Sequence, residues 1–562
     1  MLVRDFKREF YDVVQHQRVL VLVAFDVDSL CGCKILQYLF QCDQVLYTIV
    51  PVTDLQELEK AFLENAEGIK HVVLINCGAT VDIVDLLQPE DHVRFYICDS
   101  HRPVDVHNFY NAVQVKLLMR EDELSTIPTY DELFRDDSED SGNESEDSDT
   151  GYKKKKFDEE SIMRRQEKRR WSENRVKVLF DYTKFTSYGT SASLVMFDLA
   201  WKLSKDTNTL LWLAIVGVTD QYIHFKTPRD KYMEDILTLQ SHVSRHNQRG
   251  GDNENTLSIN SLKISFEEEL NFPLYRHWTL IDTICHSMPI ACKLRLWSLK
   301  GQKRLHEFLA EMGLPLNQCR QQFGAMDANL RSEVKGKIQE FMSKYGLDIQ
   351  DVILPSFSLH YGYKSQLCAT DYVLSSIAVL ESGDKSRSST DNFLEACDIL
   401  QKGCTDKMEA GLLAAKLQLR SIYTQVQSFL EMHQIISAGP FLYVFVQEGT
   451  ADSSYFTHPQ CSIRLARFAL QAHCAVSRNK RAQSLPLVLG APLRQEEGTS
   501  LVVGIPPLDT DDERKNFFGK AFEQAAEATN TTAKFNNFDS YIIEMKSEDK
   551  SKFFDALISI LQ

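Results

Sequence analysis

The first part of the chain alternates between short β-rich apolar segments and helix-like segments, and this alternation limits the folds open to it. The β-rich segments are "RVLVLVAF", "VLYTIVPV", "HVVLIN" and "HVRFYICD". Such runs are typical of strands buried on both faces of a parallel sheet. Between them, stretches such as "LCGCKILQYLFQC" and "TDLQELEKAFLENA" indicate helices. The pattern therefore predicts a doubly wound α/β lobe over about the first 118 residues.

The rest of the chain is predicted to add two further units, since 562 residues are too many for one hydrophobic core. The first unit would span residues 1–221, and its segment "LLWLAIVGVTDQY" fits either a buried strand or a buried helix. Residues 222–364 space apolar side chains three and four apart, which predicts a mainly helical interaction module. Residues 365–562 return to alternation, with strands at "GPFLYVFVQEG", "LPLVLGAPL", "TSLVVGIPP" and "DSYIIEMK". We predict a second α/β lobe there.

A charged insertion over residues 134–172 interrupts the first unit. Its acidic, serine-rich part at residues 136–149 is followed by a basic part at residues 153–170, and the two parts together have almost nothing apolar to bury. We predict a disordered insertion that passes into an exposed basic segment able to form a helix. The basic part fits a two-part nuclear import signal, and a solvated charged helix is the alternative. The import candidates are Lys153, Lys154, Lys155, Lys156, Arg164, Arg165, Lys168, Arg169 and Arg170.

Composition argues against several classes of protein. The net charge of -16 argues against coating of nucleic acid along the whole surface, but it allows a local basic groove. The thirteen cysteines include no C-x-x-C pair, so we expect neither a disulfide framework nor a zinc ribbon. There is no uncharged apolar run of about 18 residues and no secretory signal, so we expect a soluble intracellular protein without a membrane span.

Acidic and amide side chains lie where the predicted strands end, which is the edge at which open α/β sheets bind ligands. These candidates are Asp26, Asp28, Asn76, Asp99, Ser100, His101 and the more distant Asp220. Their order resembles the motifs of the DHH phosphoesterase superfamily, which includes the RecJ exonucleases and cleaves phosphate esters with two divalent metals. The family has a D-x-D, an Asp-x-Gly, the Asp-His-His triplet and a distant aspartate. Here Asn76 replaces the second-motif aspartate, and Ser100 replaces the first histidine of the triplet.

These two replacements weaken the metal site that the resemblance would imply. Two dications about 4 Å apart repel each other by about 17 kcal/mol at an effective dielectric of about 20, so they depend on several anionic oxygens. In the family, the second-motif aspartate bridges the metals, whereas Asn76 offers a neutral oxygen and Ser100 a protonated one. We therefore expect no catalytic residues and no cofactor. The acids would then be caps and hydrogen-bond partners, or would loosely hold a single Mg²⁺ at Asp26, Asp28, Asp99 and Asp220.

The resemblance continues over nearly the whole chain to one branch of that superfamily, the eukaryotic replication-initiation factors without nuclease activity. It is carried by "FDVDSLCGCKILQYLFQCD", "CDSHRPV", "YGTSASLVMFDLAWKLSKD" and "VVGIPPLDTDDERKNFFGKAFEQAAE", among other segments. It implies a RecJ-like DHH lobe, a helical inserted domain and a C-terminal DHH-associated α/β lobe. It also implies a nuclear scaffold subunit of the replicative helicase that joins the minichromosome-maintenance hexamer, the GINS tetramer and other initiation factors. The chain itself lacks a G-x-x-x-x-G-K-[ST] loop, in agreement with ATP chemistry in a partner.

Two sets of side chains are candidates for contacts with partners. Aromatic and arginine side chains usually anchor interfaces, which in the helical module selects Arg295, Trp297 and Arg304. The alternative is a buried tryptophan beside solvated arginines. The loop "SRNKR" could contact the phosphates of single-stranded DNA, or it could be a plain solvated loop. Its candidate residues are Arg478, Lys480 and Arg481. The competing function is a metal-dependent single-strand phosphoesterase or exonuclease with a reduced metal site.

Overall fold

The computed structural model describes residues 1–121, 123, 127–134, 159–249, 262–361, 365–384, 386–401, 403–450, 452–477, 483–494, 496–508 and 515–562. Its strands are β1 (Arg18–Ala24), β2 (Leu46–Val52), β3 (His71–Ile75), β4 (Arg94–Cys98), β5 (His101–Arg102), β6 (Val115–Leu117), β7 (Ser187–Tyr188), β8 (Leu262–Leu270), β9 (Ile353–Tyr361), β10 (Ser365–Cys368), β11 (Ile436–Ser437), β12 (Leu442–Phe445), β13 (Leu487–Arg494), β14 (Thr499–Ile505) and β15 (Ile542–Lys546). Its α-helices are α1 (Asp12–Val14), α2 (Val27–Cys42), α3 (Leu55–Asn65), α4 (Ile83–Leu87), α5 (Val106–Tyr110), α6 (Tyr130–Leu133), α7 (Glu159–Thr183), α8 (Ala192–Lys202), α9 (Asn208–Ile223), α10 (Arg229–Arg249), α11 (Leu280–His286), α12 (Met288–Leu294), α13 (Leu299–Glu311), α14 (Leu316–Cys319), α15 (Ala328–Phe341), α16 (Ile349–Val352), α17 (Ala369–Leu380), α18 (Ser389–Ile399), α19 (Thr405–Glu431), α20 (Pro459–Val476), α21 (Phe518–Thr529) and α22 (Lys550–Leu561).

The first lobe is built on a five-stranded sheet in the order β2-β1-β3-β4-β6, and every neighbouring pair is parallel. In β1, Val19, Val21 and Val23 enter one hydrophobic core, whereas Leu20 and Leu22 enter another on the opposite face. Apolar side chains on both faces explain why this strand lies inside the sheet and reads as a continuous apolar run. The predicted α/β fold with a parallel central sheet is confirmed.

Buried apolar side chains of the described residues form three hydrophobic cores, and two of these cores contain residues from both before position 221 and after position 364. The first core joins one face of the parallel sheet and α2, α8 and α9 to α10, β9, α17 and α19. The second joins α11–α13 to the C-terminal lobe. The third lies on the other face of the parallel sheet and includes Phe538 from the C-terminal lobe. The division into three units stays a prediction, but the lobes are packed through common side chains.

Residues 222–364 contain helices α10–α16 together with two long strands that the helical periodicity did not indicate. Strands β8 and β9 pair antiparallel from Leu262 opposite Tyr361 to Leu270 opposite Ile353. Strand β10 pairs with the other side of β9. Three successive glutamates at positions 267–269 interrupt the alternation of apolar and polar residues just before β8 ends, so the sequence does not indicate this strand.

The C-terminal lobe has a mixed sheet in the order β11-β12-β13-β14-β15, in which β12 and β13 are parallel and the other neighbours antiparallel. The segment "LLWLAIVGVTDQY" forms a helix, the largely buried α9. The basic part of the insertion is helical from Glu159, where α7 begins. The acidic stretch at 136–149 lies outside the described residues. Within the ranges given above, no helix combines the length and apolarity needed to cross a bilayer.

Candidate functional site at the carboxyl ends of the strands

The acidic cluster lies at the carboxyl ends of β1, β3 and β4, three neighbouring strands of the parallel sheet. Asp26 is the N-cap of α2, where its Oδ1 accepts a hydrogen bond from the Ser29 N–H at 2.7 Å. Asp28 lies in the first turn of the same helix. Asn76 follows β3 with a φ of 52°, a left-handed conformation that asparagine adopts more readily than most residues. The strand ends therefore bring these side chains together, as expected for an open α/β sheet.

Asp28 is a buried carboxylate whose oxygens are engaged by the start of α8. Its Oδ2 accepts a hydrogen bond from the Ala192 N–H at 2.8 Å, and its Oδ1 accepts one from the Ser193 N–H at 3.0 Å. The Ser191 hydroxyl also donates to Oδ1. The backbone of α9 passes close by at Gly217, where a Cβ atom would stand 2.6 Å from Asp28 Oδ1. Asp28 thus joins three helices of the first lobe.

Asn76 faces the acids with its amide NH₂ group rather than with its oxygen. The Asn76 Oδ1 accepts a hydrogen bond from the Ser100 N–H at 3.0 Å, which fixes the orientation of the amide. The Nδ2 group then donates to Asp28 Oδ2 at 3.1 Å and to Asp26 Oδ1 at 3.3 Å. At Asn76 a hydrogen-bond donor, and not an oxygen that could bind a metal ion, therefore faces the two acids.

His101 lies between two carboxylates, one from each lobe. Its Nδ1 is 2.6 Å from Asp99 Oδ1, and its Nε2 is 3.2 Å from Asp539 Oδ1 of the C-terminal lobe. Burial acts against the imidazolium, but Asp99 and Asp539 outweigh burial and raise the pKa of His101 to about 10. Burial also opposes ionisation of Asp539, yet His101 and Lys226 lower the pKa of that carboxyl to about 2. The hydroxyl of Tyr188 donates a further hydrogen bond to Asp539.

Replacing His101 with glutamine is expected to flatten the decline of stability above neutral pH. The raised pKa of His101 means that the folded state holds one more proton than the unfolded state between about pH 6.5 and pH 10. This group therefore contributes stability that is full below pH 6.5 and falls by about 1.4 kcal/mol per pH unit above it. Urea unfolding at pH 7, 8 and 9 measures the slope. An identical slope in wild type and His101→Gln would contradict the buried imidazolium.

Lys226 brings a second positive charge into the cluster. The side chain is 6% exposed and its Nζ lies 5.0 Å from the centre of the Tyr188 ring. Burial lowers the pKa of Lys226, but Asp26, Asp539 and Asp220 outweigh burial, so the net shift is upward. Burial is the larger effect on Asp26 and raises its pKa to about 6, although the positive charge of Lys226 acts in the opposite direction. An internal ammonium group therefore neutralises part of the acidic cluster.

Asp220, the last of the predicted site residues, lies near the end of α9 and is paired within its own helix. Its Oδ1 is 2.9 Å from the Nδ1 of His224, one helical turn later. Among the residues that the structure describes, no three histidine, cysteine or acidic side chains converge as metal ligands would. Hydrogen-bond donors from Asn76 and from the start of α8, together with the positively charged Lys226, surround the acidic side chains. The residues present therefore do not fit a two-metal centre.

Sequence reasoning missed Lys226 and Asp539. The sequence signal for Lys226 is weak: it is a lysine six residues after Asp220, just beyond the end of an apolar helix, where a charged side chain can also be buried. For Asp539 the signal was an acid within "NNFDSYIIEMK", three residues before β15 begins. Neither signal identifies its partner, because the contact between His101 and Asp539 joins residues that lie far apart in the chain.

The predicted contact residues lie away from the cluster. Trp297 is half-buried against the second core, and the exposed Arg295 donates a hydrogen bond to the Ala475 carbonyl. Arg304 is partly exposed on α13. Lys168, Arg169 and Arg170 are exposed on α7, whereas nothing is described of the side chains of Arg164 and Arg165. The other charged candidates lie outside the described residues: Lys153, Lys154, Lys155, Lys156, Arg478, Lys480 and Arg481.

Comparison with known proteins identifies the family. The CDC45 family model matches residues 19–127 and 119–560. The Cell division control protein 45 homolog of Homo sapiens is 48% identical over 567 residues, which cover 100% of both chains. The homolog of Schizosaccharomyces pombe is 30% identical and covers 96% of this chain and 95% of its own.

A solved structure agrees in fold. The crystal structure of CDC45 from Entamoeba histolytica matches with a TM-score of 0.70 at 22% identity and covers 100% of both chains. A more distant likeness, with a TM-score of 0.42 at 12% identity, is to RecJ from Thermus thermophilus in complex with Mn²⁺; it covers 98% of this chain and 53% of that one. The sequence match over the whole chain and the shared fold lead to one conclusion: this chain belongs to the CDC45 family.

Proposed function

We propose that this chain is a non-catalytic scaffold subunit of the eukaryotic replicative DNA helicase, which it forms with the minichromosome-maintenance hexamer and the GINS tetramer. Its role would be in the initiation of replication and in fork elongation, in the nucleus. The relatives are named cell division control proteins, which supports a role in the cell cycle. The observation that carries the non-catalytic part is that Asn76 donates hydrogen bonds to the acids, while Lys226 and His101 neutralise part of their charge. Two dications need those same oxygens free.

The contacts of the cluster join the first lobe to the C-terminal lobe, as a rigid scaffold requires. His101 and Tyr188 of the first lobe bind Asp539 of the C-terminal lobe, and Leu55 N–H donates to the Asn536 carbonyl at 2.8 Å. Lobes joined by shared hydrophobic cores and buried polar contacts have little freedom to move relative to one another. A rigid subunit of this kind can hold neighbouring subunits of a ring in position while their ATP chemistry drives motion.

The helical module supplies the surface that we propose for the partners. At the start of α13, Leu299 is 80% exposed, beside the predicted contact residues Arg295 and Trp297. A leucine this exposed gains from burial in an interface. Arg304 extends the same helix and adds a hydrogen-bonding group at the rim.

Binding of single-stranded DNA remains part of the proposal through the loop that contains Arg478, Lys480 and Arg481. A phosphate-tracking groove requires unpaired cations. The described residues that line the groove between the lobes carry more carboxylates than Lys and Arg side chains, so they add no support for phosphate binding, and this part of the proposal depends on the sequence of that loop. The basic segment with Lys168, Arg169 and Arg170, exposed on α7, supports nuclear import.

Co-purification from replicating cells tests the scaffold role. We expect the tagged wild-type chain to retain the hexamer and GINS, and Leu299→Asp to lose at least about tenfold of the hexamer, because a charge at this apolar site would be desolvated in the interface. Leu46→Asp is the matched control, since Leu46 is 72% exposed on a different lobe, at the start of β2. A wild-type chain that retains neither complex would contradict the proposal.

The alternative function is a Mn²⁺-dependent single-strand phosphoesterase, which the retained acidic side chains support. Labelled single strands incubated with the purified chain and Mn²⁺ are expected to stay intact. Cutting that disappears in Asp26→Ala would replace the scaffold-only proposal with an enzyme. Cutting that Asp26→Ala leaves unchanged would come from a contaminating nuclease.

A further inference from the structure

Strand β8 lies at one edge of its three-stranded sheet, because the strands follow the order β10-β9-β8. Within the described residues its one neighbouring strand is β9, which pairs with it antiparallel along its whole length. An edge strand carries backbone N–H and C=O groups on its free side that the sheet itself does not pair. Such an edge can accept one more strand from another protein chain.

The register of β8 with β9 determines which residues direct their backbone groups to the free edge. In an antiparallel pair, residues that exchange hydrogen bonds with the neighbouring strand alternate with residues whose N–H and C=O groups point away from it. Asn271, directly after β8, donates its N–H to the Val352 carbonyl at 2.7 Å and therefore belongs to the first set. Counting back in steps of two, Glu267 faces β9 as well, whereas Phe266 and Glu268 face the free edge.

The free edge is closed at one residue and open at the next two that face it. The carbonyl of Ile264, which has the same orientation as Phe266, accepts a hydrogen bond from Nδ2 of Asn247 at 3.2 Å, near the end of α10. Within the described part of the chain, the backbone N–H and C=O groups of Phe266 and Glu268 have no hydrogen-bond partner. The side chain of Glu268 is 60% exposed, so solvent reaches this stretch of the strand.

There is open space beside the same stretch. A cavity of about 1170 Å³ is lined by Glu267 and Glu268 of β8 and by Arg331, Ser332 and Lys335 of α15, among other residues. One face of β8 is already covered, because its apolar side chains pack in the first core. An additional segment would therefore approach β8 from its free edge and from the cavity.

The charges on β8 indicate which segment would fit. Glu269 pairs with Arg276 at 2.7 Å, and Glu268 lies 3.7 Å from the ammonium group of Lys335. Glu267 is exposed and, among the described residues, has no ion pair. A lysine or arginine directly opposite Glu267 would form a favourable cross-strand pair. A second copy of this chain is a poor occupant, since it would place the glutamates of two β8 strands side by side.

We propose that the free edge of β8 binds an extended segment of a partner protein as an additional strand, with a basic side chain opposite Glu267. The N–H and C=O groups of Phe266 and Glu268 hold the backbone of this segment, and Glu267 gives the preference for a basic residue. The inference goes beyond the scaffold role and does not depend on it, because the binding can be measured on the isolated full-length chain.

The probe is the peptide acetyl-Thr-Val-Lys-Val-Thr-amide, titrated against the full chain by saturation-transfer NMR. With its lysine opposite Glu267, the two valine N–H groups face β8 and the lysine N–H faces away. N-methylation of both valines should weaken binding at least about tenfold, because it removes two backbone hydrogen bonds. N-methylation of the lysine is the matched control and should change the affinity by no more than about twofold. Equal losses from the two methylations, or no binding of the unmodified peptide at millimolar concentration, would overturn the proposal.

Two variants of the chain test the two parts of the site. Glu268→Pro removes an N–H that points away from β9, so the pairing with β9 should persist, as thermal unfolding will show, while peptide binding is lost. Glu267→Lys should bind the lysine peptide about fivefold more weakly and the same peptide with a central glutamate more tightly than wild type does. Glu307→Lys, at an exposed position of α13, is the control for the charge change. Unaltered binding in Glu268→Pro would contradict the edge site, and an unchanged preference in Glu267→Lys would contradict the basic partner.

Discussion

Replacing Lys226 with methionine is expected to lower the free energy of unfolding by about 4 kcal/mol at pH 8. Methionine keeps the length and apolar stem of the side chain but removes the buried ammonium that faces Asp26, Asp220 and Asp539. Removing one partner from a buried charge cluster leaves the others uncompensated, which typically costs about 3 to 5 kcal/mol. Urea unfolding followed by tryptophan fluorescence measures the loss.

Two further measurements tie this loss to the charge of Lys226. Asp26→Asn in the Lys226→Met background should restore part of the stability, because it removes one of the uncompensated carboxylates. The loss should also shrink as the pH falls toward about 6 and level off below it, because Lys226 lowers the pKa of Asp26 and its removal lets that carboxyl take up a proton at a higher pH than in the wild type. Lys300→Met, at an exposed position, is the matched control. A Lys226→Met variant as stable as wild type would contradict the neutralising role.

Asp28→Ala is expected to lower the free energy of unfolding by about 4 kcal/mol. The change leaves the N–H groups of Ala192 and Ser193 and the hydroxyl of Ser191 without the acceptor that they share. An unsatisfied buried donor costs about 1 to 3 kcal/mol, and these three lie at the start of one helix, α8. The measurement is urea unfolding without added metal.

The sign of this effect separates a structural aspartate from a metal ligand. Acids gathered to bind metal repel one another while the metal is absent, so removal of one of them stabilises the metal-free fold or leaves it unchanged. A neutral or stabilising Asp28→Ala would therefore contradict the structural role and revive the phosphoesterase alternative. Asp555→Ala, on the exposed face of α22, is the control and should change stability by no more than about 0.5 kcal/mol.

The sequence predicted strands β1 to β4 of the first lobe because buried parallel strands consist of apolar β-branched runs with clear ends, whereas the three-residue β6 was not predicted. It also placed Asp26, Asp28 and Asn76 at one edge of the sheet, since the carboxyl ends of parallel strands share an edge. The strands β8 and β9 escaped prediction, because polar residues interrupt the alternation in β8 and a long helical region separates the two strands in the chain.

The role of Asn76 could not be predicted from its residue type. An asparagine can present either an oxygen or an NH₂ group, and the residue type does not decide between the two. The choice is made by the backbone N–H of Ser100, which takes the oxygen and turns the NH₂ group toward Asp26 and Asp28. This contact depends on β3 and β4 ending next to each other in the folded chain, which the residue type alone does not show. The pairing of His101 with Asp539 is of the same kind.

The contact between His101 and Asp539 has a consequence for work with fragments of this chain. A fragment that ends before the C-terminal lobe would keep His101, Lys226 and the acids of the first lobe but lose Asp539. It would also lose Phe538, which fills part of the core under the parallel sheet. Such a fragment would carry an altered balance of buried charge and a gap in its core at once. The first lobe is therefore not a separable module, and its properties belong to the intact chain.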